Sequence, residues 1–139
     1  MEVKMERKRF ARAIVNGVRD RTIHALDRMM SGALRGELTD RMKELLITEE
    51  ARAVVTYLIP DIVDEVVGEV LSFLEKGEIE FHVTTSDGEI VRVADLGMDT
   101  DLASEYLVDD GWIKRFSVQR WHSYLGVFEN IDVPGSLDS

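Results

Sequence analysis

Three histidines are the first candidates for chemistry in this sequence: His24, His82 and His122. None of them has a partner at a metal-binding spacing such as H-E-x-x-H. His82 is expected on a strand face next to Glu80 or Glu89, so a general base beside a carboxylate is one interpretation. The other is an exposed histidine that faces Arg92 across two strands, a common cross-strand pair that performs no catalysis. We favour the second interpretation.

A run of carboxylates is the second candidate, and its members are Asp95, Asp99, Asp101, Glu105, Asp109 and Asp110. Hard cations bind several carboxylate oxygens, but this run lacks the glycine and glutamate positions of a calcium-binding EF-hand loop. Helix capping and a solvated helix face explain the same residues. We therefore predict no metal site. We also predict no cofactor, because the sequence has neither a glycine-rich phosphate loop nor a dinucleotide fingerprint.

Nucleophilic catalysis finds little support. The sequence contains no cysteine, which excludes thiolate nucleophiles, disulfides and cysteine-bound zinc, and it has no G-x-S-x-G motif. These absences disfavour an enzyme and leave open one that uses His82 or His122 with nearby carboxylates. Lack of cysteine is also typical of reducing compartments, so we predict a cytoplasmic protein. No apolar run approaches the roughly 20 residues that span a bilayer, which predicts no membrane insertion.

Charge is divided unevenly along the 139 residues. Residues 1–43 hold 11 basic and 6 acidic residues, whereas residues 44–110 hold 18 acidic and 3 basic ones, within a total net charge of -10. The basic segment either lies against the acidic one within the fold or leaves both exposed for partners. Direct binding of nucleic acid is disfavoured, because a domain of pI about 4.7 repels phosphate at long range.

The stretch from position 111 to 126 combines aromatic and basic residues. Tryptophan, tyrosine and arginine dominate the energetics of protein interfaces. The predicted partner-binding residues are Trp112, Arg115, Arg120, Trp121, His122 and Tyr124. Large aromatic side chains also close hydrophobic cores, which is the alternative interpretation. We expect Trp112 and Phe116 inside the protein and Trp121 closer to the surface.

Hydrophobic spacing predicts helices in the first half of the chain. The apolar residues of a long amphipathic helix over 4–30 are Phe10, Ile14, Val18, Ala25 and Met29. Arg19 falls on its outer side, whereas Arg21 and Arg28 fall near the apolar sector and are expected to reach carboxylates of a packed neighbour. A short helix near Leu38 to Leu46 follows.

A further helix begins after Thr48, which can cap it, and Gly77 ends it. Pro60 predicts a kink or a restart within it. Its apolar face from position 62 to 74 is typical of a central core helix. The residues of that face are Ile62, Val63, Val66, Val67, Val70, Leu71 and Leu74.

Alternation at positions 79–84 and 89–93 predicts a β-hairpin. A three-residue loop over 86–88 with Gly88 left-handed pairs Val83 with Val91, so that both strands bury the same face. Asp99 or Thr100 is expected to cap a short helix that runs to about Val108. Ser117 is expected to cap another helical turn that carries Trp121 and Tyr124.

These elements predict an α+β fold in which three to four helices pack on a small antiparallel β-hairpin. We expect a single domain over residues 1–129 and a flexible tail over 130–139. The leading functional hypothesis is a non-enzymatic module that binds a basic protein partner, similar in size and composition to small acidic inhibitors such as immunity proteins. The alternatives are a small enzyme based on histidine and carboxylates, and a self-associating structural domain.

Overall fold

The structure is a computed structural model that describes residues 2–32, 35–46, 48–97, 100–122 and 128–129. The chain is mostly helical with an antiparallel β-hairpin, which confirms the predicted α+β fold. The helices are α1 (Glu2–Ile14), α2 (Arg21–Met30), α3 (Glu37–Leu45), α4 (Glu49–Lys76), α5 (Leu102–Leu107) and α6 (Trp112–Phe116). The strands are β1 (His82–Thr84), β2 (Ile90–Arg92), β3 (Trp121–His122) and β4 (Phe128–Glu129). The tail predicted over 130–139 and Tyr124 lie outside the described residues.

A π-helical segment, Val15–Asp20, joins α1 to α2 without interrupting the helical backbone. The four side chains of this continuous helix that are at most 1% exposed recur every four residues, at Ala11, Val15, Arg19 and Ile23. On an α-helix, residues four apart lie about 40° out of line. The wider turn of a π-helix reduces that drift. One face of the helix therefore stays against the core from Ala11 to Ile23.

The predicted buried and exposed faces of this helix are wrong, and the π-helical segment is the reason. Val18 and Ala25, which were expected on the apolar side, are exposed. Arg19, which was expected on the outer side, is fully buried, whereas Arg21 and Arg28 are exposed. The prediction was wrong because it applied the α-helical period through a segment that does not have it.

Helix α4 runs for 28 residues with Pro60 in its interior. The predicted cap is confirmed, since the Thr48 hydroxyl accepts a hydrogen bond from the Ala51 N–H, and the helix ends before Gly77 as predicted. A kink or restart was predicted at Pro60 because proline has no N–H to donate to the preceding turn. The helix does not restart, since it continues through this residue, whose ring is fully buried.

The β-hairpin has the predicted register. Val83 pairs with Val91 and His82 with Arg92, and Gly88 adopts a φ of 85°. Residue 88 therefore occupies the left-handed conformation that glycine tolerates best. Helix α1 holds the turn, because the buried Glu6 carboxylate accepts hydrogen bonds from the backbone N–H and the hydroxyl of Ser86.

The segments after the hairpin differ from their predicted form. Asp101 rather than Thr100 caps α5, since its carboxylate accepts a hydrogen bond from the Ser104 N–H at 2.8 Å. Ser117 follows the last residue of α6 and begins no helix. Trp121 lies in β3, which pairs with β4, so the predicted helical turn around it is wrong.

One cluster of buried apolar side chains joins α1, the π-helical segment, α2, α4, α5, α6 and β3. Trp112 lies within it and meets Phe10 and Tyr106 edge to face, with ring centroids 6.2 and 6.4 Å apart. Such aromatic pairs add stability beyond the area they bury. Among the described residues, no helix is both long enough and apolar enough to cross a membrane.

Candidate functional site

The core contains a charged network centred on Arg19. Its guanidinium group has no exposed surface and binds Asp64 of α4 through two nitrogens, at 2.7 and 3.2 Å from the two carboxylate oxygens. It also donates to the Ser117 hydroxyl and to the backbone carbonyl of Arg120. A planar guanidinium suits this arrangement because it offers five donors in a fixed geometry. Arg19 thereby links the first helix, α4 and the segment after α6.

Tyr106 of α5 completes the environment of Asp64. Its hydroxyl donates to the same carboxylate at 2.5 Å. Burial, and then the negative charge of Asp64, raise the pKa of the Tyr106 hydroxyl above its ordinary value. The hydroxyl therefore stays protonated and remains a donor.

Asp20 forms the second half of this network. Its carboxylate accepts hydrogen bonds from the Ser117 hydroxyl at 2.6 Å and from the Val118 N–H at 3.0 Å. The Asn16 amide donates both to Asp20 and to the Phe116 carbonyl. The π-helical segment, which contains both Asn16 and Asp20, thus anchors the chain where α6 ends.

The centre of this network is closed to substrates. Catalytic groups need access to a substrate, but the Arg19 side chain is sealed and Asp64 is buried. Within the described part of the chain, the only buried side-chain nitrogen or oxygen without a hydrogen-bond partner is the Nε of Arg120. The other buried polar groups of the network all have hydrogen-bond partners. The network therefore fixes the helices relative to one another.

Arg120 compensates for the proline inside α4. Pro60 has no N–H, so the carbonyl of Thr56, four residues earlier, loses its helical partner. The Arg120 guanidinium donates to that carbonyl at 2.7 Å. It also forms a bidentate ion pair with Asp27 of α2, at 2.7 and 2.8 Å. One arginine therefore completes the hydrogen bonds of α4 and fixes α2 against it.

We expect Arg120→Met to lower the free energy of unfolding by about 1–3 kcal/mol, because it leaves the Thr56 carbonyl and Asp27 without their donor. In a Pro60→Ala background the loss should be about 1 kcal/mol smaller, since residue 60 then supplies an N–H to Thr56. Urea unfolding of the four proteins of this double-mutant cycle measures the difference. An equal loss in both backgrounds would contradict the role assigned to Thr56.

The residues predicted to bind a partner are not gathered in one exposed patch. Trp112 and Trp121 are buried, which contradicts the exposure expected for Trp121. Phe116, expected inside, is half-buried. Arg120 is held by Asp27 and Thr56, as described above.

The other predicted interface residues are more exposed or undescribed. Arg115 is exposed and lies against the Phe116 ring, with its guanidinium carbon 5.6 Å from the ring centroid. The backbone of His122 lies in β3, while its side chain and all of Tyr124 fall outside the described residues. An interface that used the two tryptophans would require the core to open.

The described histidines lie on separate elements. His82 is on the exposed face of the hairpin, 3.5 Å from Glu80 and opposite Arg92. His24 lies on α2, where it lines an open groove beside Asp20.

The acidic run is used for pairing and capping. Asp95 pairs with Arg92, Asp101 caps α5, and Asp110 pairs with Lys114. Asp99 is outside the described residues. Across the described ranges, no group of three or more histidine and carboxylate side chains has an arrangement suited to a metal ion.

The most unusual exposed feature is an apolar row along α4. It consists of Val54, Leu58, Ile62, Val66, Val70 and Phe73, and we name it the α4 ridge. Their exposed fractions range from 39% for Val54 to 58% for Val66. The predicted wide core face of α4 is therefore wrong in part, because only its other half is buried. A contiguous exposed apolar row of this kind marks a binding surface more often than isolated exposed residues do.

Carboxylates accompany the α4 ridge. Asp61, Glu65 and Glu69 are exposed, and each lies three residues after a ridge residue. Residues three apart are neighbours on a helix surface. The ridge thus has an acidic row along one side.

Sequence reasoning missed Asp64, although a signal was present. The acidic row of α4 recurs at positions 61, 65 and 69, and Asp64 is out of phase with it. Asp64 instead shares its side of the helix with Pro60, Gly68 and Leu71, none of which is charged. A carboxylate in an otherwise uncharged row indicates a buried partner of opposite charge.

Comparison with protein-family models, with curated proteins and with solved structures finds no match for this chain. The function must therefore be argued from the surfaces of this protein.

Proposed function

We propose that this protein is a non-enzymatic binding module whose α4 ridge docks a basic amphipathic helix of a partner protein. The observation that carries the proposal is the exposed apolar row with carboxylates beside it. An amphipathic helix binds such a surface by laying its apolar face against the exposed side chains. The compartment we propose is the cytoplasm, because the sequence has no cysteine.

The dimensions of the α4 ridge suit a helical partner. From Val54 to Phe73 the ridge covers 19 steps of helix, roughly 28 Å at about 1.5 Å per residue. A partner helix of about five turns would cover it. The ridge side chains would supply most of the affinity, through burial of apolar surface.

Charge selects the kind of partner. Glu65 and Glu69 form no ion pair within the described part of the chain, so cations of a partner can reach them. Opposite charge speeds association and excludes acidic competitors. The net charge of -10 adds long-range attraction for a cationic helix.

A labelled 20-residue helical peptide of leucine and lysine tests this function. We expect saturable binding, measured by fluorescence anisotropy, and no binding of a matched leucine and glutamate peptide. Glu65→Lys/Glu69→Lys should weaken binding of the cationic peptide about tenfold or more, since like charges then face each other. Ile62→Ser/Val66→Ser should weaken it by removing apolar contact without a change in charge.

The control variant is Glu44→Lys/Glu89→Lys, which alters the net charge equally on exposed positions of α3 and of the hairpin. It should bind the cationic peptide within about threefold of the wild type, because distant exposed charges are screened. If the control loses as much affinity as the ridge variant, the attraction is due to net charge alone and the docking surface is disproved.

A further inference from the structure

A second exposed surface has charged residues of the opposite sign to those beside the α4 ridge. It is a groove of about 650 Å³, here named the α2 groove, between α2 and the segment that follows α6. Arg21, His24 and Arg28 form its wall on α2. Phe116, Val118 and Gln119 form the facing wall. Asn16 and Asp20 also line the groove, and their polar groups are already used in the core network.

The α2 groove offers free positive charge beside apolar surface. Within the described residues, the guanidinium groups of Arg21 and Arg28 form no ion pair with a carboxylate. Ala25, Phe116 and Val118 line the same groove and supply its apolar side chains. A suitable occupant therefore carries an apolar row with carboxylates beside it.

We propose that the α2 groove docks the α4 ridge of a second copy of this chain. The ridge combines apolar and acidic side chains as this occupant requires. Ile62 and Val66 enter the groove and contact its apolar side chains. Glu65 and Glu69 form ion pairs with the two arginines. The two surfaces are different patches of one chain, so the contact is heterologous and each copy offers one of each. The proposal shares the ridge with the proposed function, and a bound partner helix would compete with the second copy.

The net charge of the protein opposes this association, whereas the oppositely charged residues at the proposed contact favour it. Two copies of net charge -10 repel each other at long range. At physiological salt that repulsion is screened beyond about 8 Å, whereas charges in contact across an interface are screened less. Self-association should therefore be stronger at physiological salt than in dilute buffer, and it should depend on the two local patches.

Charge reversal with light scattering and sedimentation velocity tests the proposal. The mass of the wild type should rise with concentration through the micromolar range. Arg21→Glu/Arg28→Glu, the groove variant, and Glu65→Lys/Glu69→Lys, the ridge variant, should each weaken self-association at least about tenfold. The ridge variant has four fewer net negative charges than the wild type. Net charge alone would therefore make it associate more, the opposite of what we expect.

The variant that combines all four substitutions has the net charge of the wild type and should regain self-association, because both charge signs are exchanged. All four positions are exposed, and circular dichroism checks that each variant is folded. A monomeric wild type at every concentration, or a combined variant that stays monomeric while the wild type associates, would overturn the proposal.

The cationic peptide separates this proposal from the proposed function. The groove variant should still bind the peptide, because its α4 ridge is intact. If the wild type is monomeric but binds the peptide, self-association is disproved and the docking function stands. If the wild type associates through both patches but does not bind the peptide, the docking function is disproved and self-association stands.

Discussion

Replacing Arg19 with methionine should lower the free energy of unfolding by about 3–5 kcal/mol, because the Asp64 carboxylate then stays buried without its cation. The same change removes the donors to Ser117 and to the Arg120 carbonyl. A loss of this size is a large share of the roughly 5–15 kcal/mol by which domains are stable. Urea unfolding followed by far-UV circular dichroism measures it.

Arg21→Met is the matched control, since it makes the same change two residues away at an exposed position. It should alter stability by no more than about 0.5 kcal/mol. The double variant Arg19→Met/Asp64→Leu should be more stable than Arg19→Met alone, because apolar side chains can replace a buried ion pair. Recovery should be partial, since Tyr106 loses its acceptor. Equal unfolding midpoints for Arg19→Met and Arg21→Met would contradict the central role of Arg19.

Trp112→Ala should also destabilise the protein by about 3–5 kcal/mol, the usual loss when a large buried aromatic side chain is truncated. The indole is 1% exposed and packs against Phe10 and Tyr106. Truncation leaves a cavity where α1, α5 and α6 meet. Thermal unfolding should show a melting temperature lower by several degrees for each kcal/mol lost.

Two neighbouring variants sharpen this measurement. Trp112→Phe keeps an aromatic ring in place and should be less destabilising than Trp112→Ala. Arg115→Ala, at an exposed position of the same helix, should have little effect on stability. A Trp112→Ala protein of normal stability that binds the cationic peptide less tightly would instead support the interface role first predicted for Trp112.

Features with a local cause could be predicted from the sequence. The hairpin register follows from two requirements, that Val83 and Val91 bury one face and that Gly88 takes a left-handed conformation, and the structure confirms it. The limits of α4 follow from the Thr48 hydroxyl and from Gly77. Each of these depends on residues within a few positions of one another.

Features that depend on distant residues could not be predicted. The burial of Arg19 needs both a π-helical segment and a carboxylate 45 positions away in the sequence. The carbonyl that Pro60 leaves without a helical partner inside α4 is bonded by Arg120, 64 positions after Thr56. Hydrophobic periodicity describes one helix or strand at a time. It gives no information about hydrogen-bond partners on distant elements. The division of the α4 apolar face has the same origin, because only the tertiary packing decides which half is covered.

The network around Arg19 also sets an order of events during synthesis. Asp64 leaves the ribosome well before Tyr106, and the Arg120 carbonyl that accepts from Arg19 follows later still. A nascent chain that ends before these residues holds charged groups whose partners do not yet exist, and burying them would be unfavourable. The core can close only after the segment that follows α6 has been made. Until then, the apolar side chains of the first helices stay exposed, and such incompletely folded chains are prone to aggregate.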